Sequence, residues 1–538
     1  MQLTQLSTAL TRQGKISLTN PARLFGSVAG RSGLCYTSAN GGVSWDDLIA
    51  QNEAALAAGR PQDCQLFSDS AGTVPVLSPI GAGQGVGLLL DRSLGLTRGS
   101  NLSSNPTYDT GLDQTGVGNT GLVYWDEVNK RAVLQRTGLD FPQILVKNLN
   151  STLQIGRYYE ISIDITNISC TKGIILLLSN LTSTAYTQQL FANSSLVGQT
   201  RTCKLILPVE RAYSSYWLYL QLNSVDVGGE IAIDNISVRE IPGNHLQQPT
   251  AVARGEFTKR YNLWTGTAVL GTQNAPTIAA QYRMYFTGAG SITLSGTATG
   301  TYSAGSHLIT CTAGTLTATV TGSVLTGDLR PESDAIPSIP AYQRVTSATD
   351  YDEVGFPTRH RAVTDDWAKA HVNPNGATQA YVWWAGQKMS DAALGNTLEV
   401  GNPVVSSAGT LTVNAPRANG FSNYGVSSRS SGSANYVSPS NFAAPKRDVL
   451  RAYSSILDDV CALYVNGEFQ GSDGSDQGTG TYTEQDVYVN SRAGTSLFAN
   501  VYTSAPPMLL FLQPGDSLSD SQIRQIEKRF AKALGVTL

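Results

Sequence analysis

A serine set in a tight turn is the first group in this chain that could act as a nucleophile: Gly515-Asp516-Ser517-Leu518. A serine hydroxyl attacks only when a neighbouring base takes its proton. Just 20 residues follow Leu518, and none is a histidine, so the string reads as a turn into a final helix. The four histidines are His245, His307, His360 and His371. None pairs with another at i,i+4, and no H-E-x-x-H occurs, so a helix-borne zinc site is excluded. His360 and His371 bracket Asp365 and Asp366; they are expected to be solvated loop histidines. Two carboxylates held about 5 to 9.5 Å apart could hydrolyse a glycosidic bond. Asp350, Asp352, Glu353, Asp365 and Asp366 are the candidates, but acids in such runs are commonly surface groups, and no catalytic activity is expected. Gly81-Ala82-Gly83-Gln84-Gly85 lacks the Lys-Ser/Thr of a phosphate-binding loop and reads as a turn.

Aromatic side chains could stack on sugar rings. Tyr216 to Leu222 (YWLYLQL) reads as a strand in which Tyr216, Leu218, Leu220 and Leu222 share one face. That face is the expected core, which leaves Trp217 and Tyr219 on the other. Trp383 and Trp384 are adjacent, so on a strand they point to opposite sides and one of them must be core. Trp217, Tyr219, Trp383 and Trp384 are therefore the candidate glycan or subunit contacts, wherever one of them faces outward.

These groups must be positioned by strands. Arg157 to Thr166 (RYYEISIDIT) alternates with period two and places Tyr159, Ile161, Ile163 and Ile165 on one face. Gly173 to Ser179 and Gly229 to Ile241 are further strands, closed by the turn Pro242-Gly243-Asn244. Ser291 to Thr297, His307 to Thr312 and Gly314 to Ser323 read as Thr-rich hairpins. Gln379 to Trp384, Thr410 to Val413 and Ala462 to Phe469 continue the pattern, with Asn466-Gly467 as a type I′ hairpin turn. Two helices stand out. Ser44 and Asp47 form a capping box for a helix from Trp45 to Ala58, and Gly85 to Ser93 follows as a short buried strand. Ser519 and Gln522 box a second helix that carries Ile523, Ile526, Phe530 and Leu534 on one face and stops at Gly535.

Composition narrows the function classes. Charged residues are 14% of the 538, with 37 Lys+Arg against 40 Asp+Glu. A near-neutral chain without a basic run lacks the cations that hold nucleic acid. The six cysteines (Cys35, Cys64, Cys170, Cys203, Cys311, Cys461) are scattered, with no CxxC. They are expected to be buried apolar residues, although Cys170 and Cys203 could face each other. The first ten residues have neither a basic start nor an apolar run, and no stretch approaches the ~18 apolar residues of a membrane span. The chain is read as a cytoplasmically made, soluble product without membrane insertion.

Several segments together resemble tailed-bacteriophage virion proteins. LFSDSAGTVPV and GQGVGLLLDRSLGL, within Leu66 to Leu96, resemble a module near the start of many such proteins. The region 121–241, ending in IAIDNISVREIPGNH, looks like a carbohydrate-binding jelly roll. RMYFTGAGSITLSGTATGTY, Arg283 to Tyr302, resembles a phage-tail β-repeat. AYQRVTSATDYDEVGFPTRHRAVTDDW, then LYVNG, then LSDSQIRQIEKRFAKALGV look like a concanavalin/laminin-G-like sandwich. Where that family has a Gly-rich lead into DDW, this chain has Arg361-Ala362-Val363-Thr364.

The resemblance implies a mainly β chain of serial sandwiches in four parts. These are a mixed docking module over 1–110, a jelly roll over 111–248, a small Thr/Gly-rich β-domain over 249–338, and a concanavalin-like sandwich with a terminal helix over 339–538. It implies a non-enzymatic virion protein of the tail-fibre or minor-tail kind, a homotrimer that binds other virion proteins and a host-surface glycan and leaves the cell by lysis. The alternatives are a depolymerase carried on sandwiches and a capsid or collar decoration protein. Sandwich lectins hold Ca²⁺ through loop oxygens, which makes Asp234, Asp365 and Asp366 the candidate ligands for a structural calcium and leaves no other cofactor expected.

Overall fold

In the computed structural model, strands form where side chains alternate, and the alternation decides which face is dry. The structure describes residues 31–77, 84–103, 107, 122–135, 143–146, 153–154, 157–170, 174–179, 184–189, 197–209, 217–222, 229–258, 272–277, 279–331, 359–362, 365–401, 409–429, 435–444 and 446–538. Tyr159, Ile161, Ile163 and Ile165 all point inward from the strand Tyr158–Asn167. That strand is an inner one of a five-stranded antiparallel sheet, between Thr200–Pro208 and Glu230–Ile241, with Arg131–Gln135 and Leu122–Asp126 beyond. A four-stranded sheet runs Gln143–Val146, Trp217–Leu222, Ile174–Ser179, Thr184–Gln189. These two sheets come from the region read as a jelly roll.

The Thr-rich region forms one five-stranded antiparallel sheet. The long strand Ala280–Gly296 pairs with Gly300–Cys311 on one side and with Gly314–Thr321 and Val324–Pro331 on the other. Its own core holds Tyr282, Met284, Phe286, Ile292, Leu294 and Ile309.

The largest unit is a pair of nine-stranded antiparallel sheets. The first carries Gln379–Lys388 between Lys446–Ser455 on one side and Val501–Thr503 and Met508–Leu512 on the other. The second runs through Ala368–Val372, Gln485–Val489, Asn396–Val400, Thr410–Asn414 and Gly425–Arg429. Apolar side chains of both sheets meet between them, among them Trp384, Leu398, Leu411, Leu450 and Phe511. Early residues complete this unit. Ser32–Leu34 pairs with Leu509–Phe511 in the first sheet, and Leu66–Phe67 and Leu88–Leu89 sit at the edge of the second. Gly33 is needed there: a Cβ would stand 2.0 Å from the Leu509 carbonyl oxygen. Ser32–Leu34, Leu66–Phe67 and Leu88–Leu89 are thus hydrogen-bonded into the sheets of the C-terminal sandwich, while Arg98, Gly99 and Leu102 bond to Glu160, Glu240 and Val238 of the jelly-roll region.

Two helices cover it, both bounded where the capping boxes place them. Helix α1, Trp45–Ala57, starts at Ser44, whose hydroxyl accepts from the Asp47 amide. Helix α2, Asp520–Leu534, starts at Ser519 and ends at Gly535 in the left-handed conformation. Ile523, Ile526, Phe530 and Leu534 are buried, and each such side chain contributes about 1.5–3 kcal/mol. They pack over Trp383, Tyr381 and Leu510 on the outer side of the first sheet. A polar bond joins the same surfaces: Arg451 Nε donates to Glu527 Oε1 at 2.7 Å, and the guanidinium lies 3.4 Å from the Tyr464 ring centroid.

A buried carboxylate ties the turn after the jelly roll to the sandwich. Asp91 accepts from the amides of Cys35 at 2.8 Å, Ser93 at 3.0 Å and Asn244 at 2.9 Å, and its own amide donates to His245 Nδ1 at 2.9 Å. Burial pushes the Asp91 carboxyl up to about 6 against these hydrogen bonds, and burial pulls His245 down to about 3. None of the six cysteines forms a disulfide; Cys203 is half-buried and the others are buried. Cys170 and Cys203 lie in and against the same jelly-roll core without a bond between them.

Candidate functional site

The two sheets of the large sandwich present different outer faces. Nearly every position of Gln379–Lys388 is buried, because the sandwich core takes one side and α2 the other. Trp384 lies in the first core and Trp383 in the second, 1% and 0% exposed. Trp383 and Trp384 are candidate contacts only if one of them faces outward, and neither does: adjacency sends them to opposite sides, but both sides are dry.

On the second sheet, Ala370, Val372 and Val487 face the core, which turns Lys369, His371, Asp486 and Tyr488 to the outer face. The register sets Lys369 opposite Tyr488 and His371 opposite Asp486. His371 Nδ1 lies 3.0 Å from Asp486 Oδ1, and Nε2 lies 3.0 Å from Glu484 Oε1. Asn373 Nδ2 donates to Glu484 Oε2 at 3.4 Å, Tyr488 OH to Asp486 Oδ2 at 3.2 Å, and Lys369 Nζ is 3.7 Å from that same oxygen. The Asp486 hydrogen bond raises the His371 pKa above its ordinary value; partial burial opposes this and Glu484 adds to it. Burial acts to raise Asp486, yet its His371 hydrogen bond and the Lys369 and His371 charges prevail and hold it below the usual carboxylate range. The cluster is an imidazole ring clamped between two carboxylates, about one-third exposed at His371 and Asp486 and one-half at Glu484.

An aromatic pair borders it. Trp367 and Tyr488 have ring centroids 6.1 Å apart at 51°, and both are half-buried. Gly494, with φ +70°, lies beneath the Trp367 ring; a Cβ would sit 3.0 Å from the indole. Opposite Tyr488 on the next strand, Glu399 is fully buried, holding Arg492 Nε at 2.9 Å and Asn396 Nδ2 at 2.7 Å. Burial pushes Glu399 up to about 7, with Arg492 opposing.

The other expected site residues are placed as follows. Asp365 is exposed with φ 70°, and the Asp366 carbonyl accepts from Asn490 Nδ2 at 2.6 Å, so the pair forms the loop that delivers Trp367 to the sheet. Asp234 stands at a bulge opposite Asp164, and its Oδ1 accepts the Asn235 amide at 2.8 Å. Among the described residues no three His, Cys, Asp or Glu side chains converge on a metal position. Trp217 and Tyr219 lie opposite Ser179 and Leu177 in the four-stranded sheet; their side chains, and Asp350, Asp352 and Glu353, lie outside the described residues. The expectation of solvated loop histidines is corrected for two. His360 is on the strand Arg359–Ala362 beside Trp45 and Phe257, where burial pulls it down to about 4. His371 is on a strand between two acids. Gly515 turns with φ 82° and Asp516 pairs with Arg31, so the Ser517 string is the turn it was read as. Sequence reading missed Trp367, Asp486 and Tyr488, although Gln485–Val489 (QDVYV) carries the period-two signal that would have made it a strand.

A concavity of about 450 Å³ lies between residues 40–44 and the end of α2, lined by Asp47, Arg529 and Lys532. Asp47 is committed to the cap of α1, and Arg529 to the Gly41 carbonyl.

No family model matches the chain, and no curated protein matches it. Solved structures do. The CBM40 of a Ruminococcus gnavus IT-sialidase matches at 15% identity over 28% of this chain and 84% of that one, with TM-score 0.22. A family 29 carbohydrate-binding module mutant complexed with mannohexaose matches at 15% identity over 27% of this chain and 92% of that one, TM-score 0.20. A heptameric SAP-like pentraxin from Limulus polyphemus matches at 12% identity over 24% and 62%, TM-score 0.20.

Proposed function

We propose that the chain is a non-enzymatic structural subunit of a tailed-phage particle, of the tail-fibre or minor-tail kind, that binds host-surface glycan on the outer face of its second nine-stranded sheet. The observation that carries the glycan reading is the half-buried Trp367–Tyr488 pair beside the His371, Asp486, Glu484, Lys369 and Asn373 cluster. An aromatic platform takes the apolar face of a sugar ring, and carboxylate, amide and ammonium groups at its rim take the hydroxyls. A non-enzymatic role is supported by how these groups are spent. Both ring nitrogens of His371 are engaged by carboxylates, and Glu399 is buried below the surface, so neither is offered to a substrate as acid or base. The particle assignment rests on the order of the segments that resemble virion proteins. In it the chain works as a homo-oligomer among other virion proteins, released by lysis, with calcium at most a structural ion and no catalytic step routed through it.

The test is retention on host lipopolysaccharide or capsule. Wild type is expected to be retained, and Tyr488→Ala and Trp367→Ala to lose retention at least about tenfold, which corresponds to about 1.4 kcal/mol. Equal retention of all three, or release of reducing ends by the purified chain, overturns the reading.

A further inference from the structure

An open sheet edge presents unpaired amides and carbonyls to any passing strand, and proteins blunt such edges with charge, proline or shortness. Most edges described in this chain are treated in that way. Thr272–Thr277 carries Pro276, Val324–Pro331 carries Asp328, Arg330 and Pro331, Thr200–Pro208 carries Arg201 and Lys204, and Glu468–Asp473 has an acid at each end. Leu66–Phe67 and Asn435–Val437 are two and three residues long. The exception is Gly300–Cys311, GTYSAGSHLITC: twelve residues, no charged side chain, no proline. Among the described residues it pairs only with Ala280–Gly296. Among the described residues the one other uncharged, proline-free edge of six residues or more is Thr184–Gln189, half as long.

The strand bends at Gly305, φ 141°, where the register with its neighbour shifts. Beyond the bend, Ser306 to Cys311 forms a straight run. Ile309 and Cys311 turn into the core, and Ser306, Leu308 and Thr310 face solvent, with Leu308 50% exposed. We propose that this run pairs edge to edge with the same run of a second copy of this chain, antiparallel about a two-fold axis at Leu308. Such a contact is isologous, so each residue meets its complement. Leu308 then lies across from Leu308 of the copy, and Ser306 across from Thr310. The exposed leucine is covered, and hydroxyls face hydroxyls, both favourable cross-strand pairs.

Self-pairing is favoured over a charged partner because the run offers no charge to read. The nearest cation is Arg283, one strand inward opposite Leu308, and its Nη1 donates to Ser306 Oγ at 3.0 Å. In the pair the two guanidinium groups, each held at Ser306, would lie four residues apart along the strands and one strand spacing across, about 14 Å, beyond the screening length of about 8–10 Å. The inference is independent of the glycan reading, since it concerns a different sheet.

The test uses the full chain. A ladder this short is a small contact, so wild type is expected to show a reversible dimer in sedimentation velocity by about 100 μM. Leu308→Lys places like charges face to face and is expected to weaken association at least about tenfold, with unchanged circular dichroism. Leu308→Cys should give a disulfide-linked dimer on mild oxidation that wild type does not form. A wild type that stays monomeric, an association indifferent to Leu308→Lys, or a Leu308→Cys chain that does not cross-link overturns the proposal. A heterologous strand captured at this edge in place of a copy also overturns it.

Discussion

Removing the Glu527 carboxylate is expected to loosen α2 more than any other single polar change on that helix. Arg451 and Glu527 are 10% and 5% exposed, and they meet at 2.7 Å between α2 and the first sheet. Glu527→Ala deletes one partner and leaves a guanidinium buried without its counter-charge. Breaking a buried pair costs about 3–5 kcal/mol. The Tyr464 ring remains 3.4 Å from the guanidinium and keeps a cation–π contact of about 0.5–2 kcal/mol, so the lower end, about 3 kcal/mol, is expected. The chain has several units and no single unfolding transition, so the readout must be local. Amide hydrogen exchange by mass spectrometry on residues 520–534 reports helix opening. At about 1.4 kcal/mol per decade, exchange there should accelerate roughly a hundredfold while 280–331 stays unchanged. The double variant Arg451→Met, Glu527→Leu should recover most of the protection, because an apolar pair of similar volume replaces a buried ion pair at little cost. An acceleration below about tenfold, or a double variant as loose as the single one, would refute the reasoning.

Trp384→Ala should destabilise the sandwich by about 3–5 kcal/mol, as expected for a large core aromatic, and be seen as earlier urea unfolding of that unit; Trp367→Ala should cost clearly less, because its ring is only half-buried. Gly494→Ala is expected to weaken glycan retention without unfolding the chain, since its Cβ would press on the Trp367 indole from 3.0 Å; unchanged retention would show that ring position is immaterial. The His371 cluster should make stability pH-dependent in two arms. His371 is raised, so its contribution is full below the unfolded value of about 6.5 and fades as pH climbs through the folded one. Asp486 is lowered, so its contribution holds above the usual carboxyl range and fades in acid. Hydrogen-exchange protection of residues 368–372 and 485–489 from about pH 4 to pH 9, corrected for the intrinsic exchange rate, should therefore fall at both ends, and His371→Gln should flatten the alkaline arm.

Local code was legible in the sequence, and long-range pairing was not. Helix α2 could be bounded from Ser519, Gln522 and Gly535 because caps act within one turn. The Asn466-Gly467 hairpin, with φ 51° and 81°, follows from the same short reach. The alternation of Tyr159 to Ile165 gave the buried face of its strand directly. By contrast, Ser32–Leu34 meets Leu509–Phe511 from the far end of the chain, and no pattern in SGL specifies that partner. Trp383 defeats a two-face argument because what lies outside its strand is a helix placed there by residues 520–534. His371 became a site residue only when the register set Asp486 across from it, 115 positions away.

That same helix also determines where contact chemistry can sit. A strand buried on both sides must fill each position for packing, and Gln379–Lys388, under α2, has almost no position left for a ligand. Ala368–Val372 and Gln485–Val489 are buried on one side only, so their odd and even positions serve separate ends. Ala370, Val372 and Val487 hold the core, and Lys369, His371, Asp486 and Tyr488 are released from that task. Neither helix is placed over that cluster by its packing: α2 lies on the first sheet, and Trp45, Leu48 and Ile49 of α1 join the inter-sheet core. A glycan-binding role for this chain therefore predicts its damaging substitutions on the second sheet and tolerance at Trp383 of any change that preserves packing. Trp383→Phe should keep full glycan retention while loosening α2, and loss of retention with α2 still protected from exchange would place the contact on the wrong sheet.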